Sequence, residues 1–110
     1  VVCHDPDAPL VTPAGHYGYV HWVLYGIPGD VTALAEGTGD YTQGKNETGA
    51  LGYTGPMPPN GHGVHHYFFW VLALSEAVDL PPGLAMWELL AKIEPQLLGM
   101  NRVVGTYQRA

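Results

Sequence analysis

Residues 65–74 read HHYFFWVLAL, and this stretch points to the fold more directly than any other. Aromatic and aliphatic residues occupy both of its alternating sets, a pattern typical of a β-strand that is covered on both faces. One face would carry His65 and Tyr67, and the other would carry His66. We therefore expect a long strand, buried on both sides, that begins at a pair of histidines.

A second strand is predicted over residues 17–27, YGYVHWVLYGI, whose two alternating sets are again both apolar. It is expected to be an interior strand of a sheet and not an edge. Strict alternation places His21 on the same face as Val23, and Val20 on the opposite face. His21 should therefore point into a covered face, where a histidine is more often a hydrogen-bonded core residue than a ligand.

Outside these strands the chain is irregular for long stretches. Residues 28–63 are rich in glycine and proline, which predicts a long connection with a short strand near residues 51–53.

A helix is predicted next, and it should end near Ile93 because Pro95 cannot continue it. Its helically spaced apolar residues are Met86, Leu89, Leu90, Ile93 and Leu97. Residues 1–3 indicate the end of a strand, residues 103–107 predict a last short strand, and residues 1–110 are predicted to form a single domain.

The composition fits a folded, loop-rich protein and excludes some partners. The 110 residues are 46% hydrophobic and 13% charged, and 4 basic against 10 acidic side chains give a net charge of −6. Nucleic acids and anionic membranes need clustered Lys and Arg, so neither is expected as a partner. The longest apolar run, residues 67–74, is far below the about 20 residues that span a bilayer, so we expect no membrane insertion and a cytoplasmic location.

Two further segments concentrate residues that could carry chemistry. Residues 5–9, DPDAP, would present two carboxylates on a turn that prolines stiffen, although a plain connecting turn explains the same residues. Residues 55–67, GPMPPNGHGVHHY, combine stiff prolines with glycines that permit close approach, a composition that suits the wall of an anion-binding pocket. This second segment runs directly into His65 and Tyr67.

These segments resemble the phosphatidylethanolamine-binding protein family, which includes the Raf kinase inhibitor proteins and their bacterial relatives. The family's Asp-Pro-Asp-Ala-Pro motif stands at residues 5–9, and its histidine followed by an aromatic residue stands at residues 21–22. Its Gly-Pro-x-Pro-Pro-x-Gly-x-Gly-x-His-x-Tyr signature is complete at residues 55–67. Further matches are Gly44, Asn46, Gly49, Tyr53 and residues 105–109. The resemblance covers essentially the whole chain in order.

The resemblance implies a mainly β fold, a β-sandwich with a large central sheet and peripheral helices. It also implies an anion pocket near one end of the sheet, built from Asp5, His21, His65 and Tyr67, with a backbone rim at Gly55, Pro56, Pro58 and Pro59. Family members bind phosphate and phosphorylated head groups there, and some inhibit kinases or proteases through protein contacts. No catalytic residue, metal or cofactor is implied, so the chain is predicted to be a binding protein and not an enzyme.

The chain departs from the family pattern at its start. Family members usually have strands of the sheet before the DPDAP turn, whereas only four residues precede Asp5 here. N-terminal strands that are absent or short are therefore expected. They would leave an unprotected sheet edge at which a second copy of the chain can pair as a homodimer.

The chemistry of phosphate assigns a role to each pocket residue. A phosphate oxygen accepts hydrogen bonds, so we expect His21, His65 and Tyr67 to donate to it. A bare carboxylate would repel the anion, so Asp5 should orient a histidine and favour its protonated form. Anion binding should then be tighter below about pH 6.5, the ordinary pKa of histidine, than at pH 8.

Two other interpretations stay open. An exposed lip formed by Met57, Asn60 and His62 would favour a protein-interaction module that recognises phosphorylated or acidic side chains. A metal-dependent hydrolase built on neighbouring histidines is less favoured. His65 and His66 point to opposite faces of a strand and cannot easily share one ion with His62 and Asp5.

Overall fold

The sheet contains most of the regular structure of the chain. The structure is a computed structural model, and it describes residues 1–9 and 17–110. Within these residues the strands are β1 (Val2–Asp5), β2 (Tyr19–Tyr25), β3 (Thr42–Gln43), β4 (His65–Leu74) and β5 (Leu97–Tyr107), and the helix between β4 and β5 is α1 (Met86–Ile93). All strand pairs are antiparallel, in the order β3-β2-β1-β4-β5. The predicted mainly β fold with a central sheet is therefore confirmed.

The four-residue strand β1 lies in the middle of the sheet. It pairs with β2 on one side, where Val2 is opposite Val23, and with β4 on the other side, where Val2 is opposite Trp70. Both backbone edges of β1 are thus hydrogen-bonded, and Val2 and Cys3 are almost completely buried. The predicted strand at the start of the chain is confirmed, and it leads directly into the turn that follows Asp5.

A β-bulge at His21 interrupts the pairing of β2 with β1. The register passes from Trp22 to Val20 between consecutive residues of β1, so no residue of β1 is opposite His21. One extra residue reverses the alternation of the side chains beyond it. Val20 therefore joins Val23 in the same buried cluster. The prediction that Val20 and Val23 lie on opposite faces is wrong for this reason, whereas the interior position of β2, between β3 and β1, is confirmed.

Helix α1 packs against one face of the sheet and closes the hydrophobic core. The buried cluster consists of Val2, Val20, Val23, Tyr25, Leu84, Met86, Leu89 and Ile93. Three residues of β4 pack against this cluster and are partly buried, namely Trp70, Leu72 and Leu74. The core thus lies toward the end of β4 that is farther from the histidines.

Pro95 ends the helix as the sequence predicts. Helix α1 stops at Ile93, and Pro95 lies in the 3₁₀ turn Glu94–Gln96 that follows. Leu97 was expected on the helix, but it is the first residue of β5, because the turn redirects the chain into the sheet. The described residues contain no helix with the length and apolar character that crossing a bilayer requires.

Strand β4 has the predicted bounds but is less covered than predicted. His66 is exposed, and Val71 keeps 57% of its surface accessible. Helix α1 covers only the face that carries Leu72 and Leu74. The expectation of burial on both faces is therefore wrong for this strand.

Strand β5 is longer than the predicted segment 103–107. It has 11 residues and pairs with the whole of β4, from His65 opposite Tyr107 to Leu74 opposite Leu97. Every residue of β5 is exposed, and the strand forms one end of the sheet among the described residues.

The short strand of the long connection also differs from its predicted place. It is β3, at Thr42–Gln43, where it pairs with the end of β2. Leu51, which was expected in a strand, forms an isolated bridge with Lys45. The connection is otherwise irregular, as its glycine and proline content predicts.

Candidate functional site

A buried hydrogen bond between Asp5 and His65 lies at the centre of the candidate site. Asp5 ends β1 and His65 begins the neighbouring strand β4. The distance from His65 Nδ1 to Asp5 Oδ2 is 2.7 Å, and each side chain is only 3% exposed. The ring nitrogen Nδ1–H donates to the carboxylate, which fixes the orientation of the imidazole. The remaining ring nitrogen, Nε2, is therefore the one that can change its partner.

The two carboxylates of the DPDAP turn accept hydrogen bonds from two different histidines. Asp5 Oδ1 accepts a hydrogen bond from the backbone N–H of Asp7 (2.8 Å), so both oxygens of Asp5 are engaged. Asp7 Oδ2 accepts from the backbone N–H and from Nδ1 of His66, each at 2.7 Å. The hydrogen bond with His66 holds the pKa of Asp7 below its usual value. The turn is therefore attached to the start of β4 at two points.

His21 is held by the loop that crosses the end of β2. Its Nδ1–H donates to the Thr54 carbonyl (2.8 Å), and the Thr54 backbone N–H donates to the His21 carbonyl (2.9 Å). The side chain is buried, and burial lowers the pKa of His21 below the ordinary histidine value. At neutral pH His21 is thus uncharged, with its proton on Nδ1 and a lone pair on Nε2.

Tyr67 lies beside His21 and belongs to the same strand as His65. Its ring meets the His21 ring edge-on at a centroid distance of 5.1 Å, and it is 5% exposed. Burial, with a further contribution from the Asp5 charge, raises the pKa of Tyr67 to about 12. The phenol therefore keeps its proton and remains a hydrogen-bond donor at every physiological pH. Asp5, His21, His65 and Tyr67 are thus brought together, as the resemblance implies.

The predicted rim runs from His21 to the His65 end of the site. It begins after Thr54, at Gly55 and Pro56, and continues through Pro58 and Pro59. Pro58 is buried, and its carbonyl accepts from Arg109 Nη1 (3.3 Å). The Arg109 carbonyl in turn accepts from the backbone N–H of Gly61 (3.1 Å). The end of the chain therefore braces the rim.

Two residues that match the family pattern, Gly44 and Asn46, shape the loop before the rim. Asn46 is 7% exposed, donates from Nδ2 to the Gly52 carbonyl (2.9 Å), and accepts at Oδ1 from the backbone N–H of Thr48 (2.9 Å). A Cβ atom on Gly44 would lie 2.5 Å from the Leu84 carbonyl oxygen. These residues therefore support the path of the loop toward Thr54.

His62 is a member of this group that the sequence places in the lip and among the less favoured metal-ligand candidates, but not in the predicted anion pocket. Its Nδ1 lies 2.7 Å from His65 Nε2, and the two rings are tilted at a centroid distance of 4.9 Å. The sequence signal was its position three residues before His65, within a loop bounded by Gly61 and Gly63. That spacing alone does not reveal a contact, because the path of the loop decides it.

The histidines do not converge on a shared ion position. His65 and His66 bond different carboxylates, as opposite faces of β4 require. Within residues 1–9 and 17–110, no three His, Cys, Asp or Glu side chains are arranged as metal ligands. A cleft of about 710 Å³ lies at the other end of β4, near residues 71–78, and contains none of the predicted site residues.

Comparisons with known proteins identify relatives over the whole length of the chain. Residues 1–108 match a family model described as phosphatidylethanolamine-binding protein. The chain is 40% identical over 116 residues to a UPF0098 protein of Methanothermobacter thermautotrophicus and 39% identical over 116 residues to one of Aquifex aeolicus. Each alignment includes 99% of this chain, which spans 72% and 64% of the two relatives.

A solved structure shows the same fold. It is the crystal structure of YbcL from E. coli, described as a new member of the mammalian PEBP family, and it matches with a TM-score of 0.83 and 28% sequence identity. The match covers 99% of this chain and 70% of that one.

Proposed function

Because the chain belongs to the phosphatidylethanolamine-binding protein family, we propose that it binds small phosphate-bearing anions, including phosphorylated head groups, around His65. The observation that carries this proposal is the buried Asp5–His65 bond, with His21 and Tyr67 beside it. A buried carboxylate that orients an imidazole is a suitable support for a cationic hydrogen-bond donor.

The protonation of the histidines decides how this site would hold an anion. His65 uses Nδ1–H for Asp5, and His21 uses Nδ1–H for the Thr54 carbonyl. In their neutral forms both rings therefore present a lone pair at Nε2, which repels an anion. Protonation converts each Nε2 into a charged N–H donor, whose hydrogen bonds to an anion are about twice as strong as neutral ones. Tyr67 adds an uncharged O–H donor.

This protonation requirement predicts a definite pH dependence. Affinity should increase from pH 8 to pH 6, by up to about tenfold per pH unit for each proton taken up on binding. Burial lowers the pKa of His21, so its contribution should require a lower pH than an unperturbed histidine would. Sulfate is the best probe because it keeps its charge across this range. A phosphate monoester does not, since its second pKa is about 6.

The test is an NMR titration of the histidine ring signals with sulfate, phosphate and phosphoethanolamine at pH 6 and pH 8. We expect the largest chemical-shift changes for the rings of His65 and His21, and tighter binding at pH 6 than at pH 8. His65→Gln should abolish binding. His66→Gln is the matched control, because His66 bonds Asp7 instead of Asp5 and its loss should leave the affinity unchanged. The proposal fails if no anion shifts these signals at pH 6.

A second candidate function is supported by the exposed lip beside the site. Met57 is 78% exposed, and Asn60 and His62 are also exposed. Such a lip suits a protein partner, a kinase or protease for example, whose phosphorylated or acidic side chain enters the site. A phosphoserine-containing peptide should then bind more tightly than free phosphoserine, and Met57→Ser should remove the difference. Equal affinities for the peptide and the free amino acid would reject this candidate.

A further inference from the structure

We propose that His62 is a second, movable imidazole of the anion site, which bonds His65 Nε2 while the site is empty and turns onto the anion when one binds. This inference rests on the proposed function and assigns a role to a residue outside the predicted pocket. It begins from the 2.7 Å contact between His62 Nδ1 and His65 Nε2.

The first step is that His62 occupies the one atom of His65 that an anion needs. His65 Nδ1 is bonded to Asp5 and its Nε2 to His62, so both ring nitrogens have a partner. His65 is 3% exposed, whereas His62 is exposed. An anion that reaches His65 Nε2 must therefore displace the His62 ring.

The second step is a count of protons on the pair. With Nδ1–H of His65 donated to Asp5, neutral His65 accepts at Nε2 from Nδ1–H of His62. One added proton leaves the bond intact. His65 then carries N–H groups on both of its ring nitrogens and is the cation, and its Nε2–H donates to Nδ1 of neutral His62, whose own proton is on Nε2. A second added proton places N–H groups on both nitrogens and makes the bond impossible. The rings must then separate, and both can donate to one anion.

The third step is that His62 is free to turn. Its neighbours Gly61 and Gly63 have φ values of +71° and +88°, which glycine adopts without strain. Apart from the adjoining residues, no atom of the described residues lies within 4 Å of the position that a Cβ would occupy on either glycine, so neither glycine is packed against them. The backbone N–H of His62 donates to the Pro59 carbonyl (3.2 Å), so the loop can stay in place while the ring rotates.

Several titratable or charged groups lie on the elements next to the His62–His65 pair. They are Asp5 on β1, Asp7 in the turn that follows, His21 on β2, His66 and Tyr67 on β4, Tyr107 on β5, and Arg109 beyond β5. Tyr67 stays protonated because its pKa is about 12, and Asp7 stays ionised because its pKa is lowered. The pKa of His21 is lowered by burial, so His21 protonates after an exposed histidine would.

The inference is tested on the intact chain with sulfate. Without sulfate, NMR should detect a scalar coupling across the hydrogen bond between His62 Nδ1 and His65 Nε2, and saturating sulfate at pH 6 should abolish it. His62→Ala should reduce the ratio of the affinities at pH 6 and pH 8 by up to about 100-fold, about tenfold for each of the two pH units, since about one fewer proton is taken up. Val64→Ala, at an exposed position of the same segment, is the control and should keep the native ratio.

Failure of this inference can be distinguished from failure of the proposed function. If sulfate binds and shifts His65 but the coupling persists, or if His62→Ala keeps the native pH ratio, His62 has no such role and the anion site stands. If His62→Ala weakens binding equally at both pH values, its role is purely structural and the inference is overturned. If the native chain binds no anion and the His65→Gln variant is indistinguishable from it, both proposals fail.

Discussion

Gly44 is a residue at which the structure leaves no room for a side chain. A Cβ atom there would lie 2.5 Å from the Leu84 carbonyl oxygen and 2.7 Å from a methyl carbon of Val23. Gly44→Ala should therefore destabilise the protein by about 1–3 kcal/mol, the usual cost of overpacking. Gly39→Ala is the matched control, because apart from its chain neighbours no atom of the described residues lies within 4 Å of its Cβ position. Urea denaturation should separate the two variants, and equal stabilities would contradict the close approach at Gly44.

The ion pair of Asp7 with His66 predicts a small effect of acid on stability. Because the folded state lowers the pKa of Asp7, this carboxylate stabilises the fold above its ordinary value of 3.8, and the contribution is lost as pH falls through the lowered pKa. The side chains are 39% and 49% exposed, so the effect should be under about 1 kcal/mol. Asp7→Asn should show a shallower loss of stability below pH 3.8 than the native chain in denaturant titrations. An unchanged acid profile would show that the pair contributes nothing.

Most residues of the candidate site could be predicted from sequence motifs. The remaining features of the site depend on the three-dimensional path of the chain. Asp5, His65 and Tyr67 stand in recognisable motifs, and the structure brings them together with His21. The contact of His62 with His65 could not be predicted, because it depends on how a glycine-bounded loop turns. The tautomers could not be predicted either, since they follow from hydrogen bonds to Asp5 and to a loop carbonyl.

At the scale of elements, α1 closes the core and predicts a large effect of a single truncation. Leu89 is 1% exposed within the buried cluster between the helix and the sheet. Leu89→Ala should therefore lower the free energy of unfolding by about 3 kcal/mol. Lys92→Ala, on the exposed side of the same helix, should change it by less than about 0.5 kcal/mol. A Leu89→Ala variant as stable as the Lys92→Ala variant would mean that α1 does not hold the core.

Strand bounds could be predicted where the sequence contains a long apolar run. They could not be predicted where strand pairing determines the length or the register of a strand. The bounds of β4 follow from its aromatic and aliphatic run, and the end of α1 follows from Pro95. The bulge at His21 is invisible to any alternation rule, because it depends on the register with β1. Likewise β5 owes its length to pairing with all of β4, while its own sequence, LLGMNRVVGTY, contains two glycines and no strict alternation.

At the scale of the whole molecule, the exposed strand β5 makes self-association a prediction. Leu98, Met100 and Val103 are 72%, 53% and 67% exposed, and edge strands with apolar side chains tend to pair with further strands. Sedimentation should show a concentration-dependent homodimer that added salt strengthens, because salt screens the net charge of −6. Val103→Lys should weaken association more than Gln108→Lys, which adds the same charge beyond β5. A chain that stays monomeric at high concentration and high salt would contradict this prediction.

The position of β1 has a consequence for how the protein folds. Asp5 and His65 are 60 residues apart in the chain, and they meet only when the four-residue strand β1 is inserted between β2 and β4. Closing such distant pairings is slow, so the proposed anion site should be complete only at the end of folding. A bound anion stabilises the native state and not the barrier that precedes it. It should therefore slow unfolding and leave the refolding rate unchanged. The ligand would then stabilise the native state once it has formed and would not assist its formation.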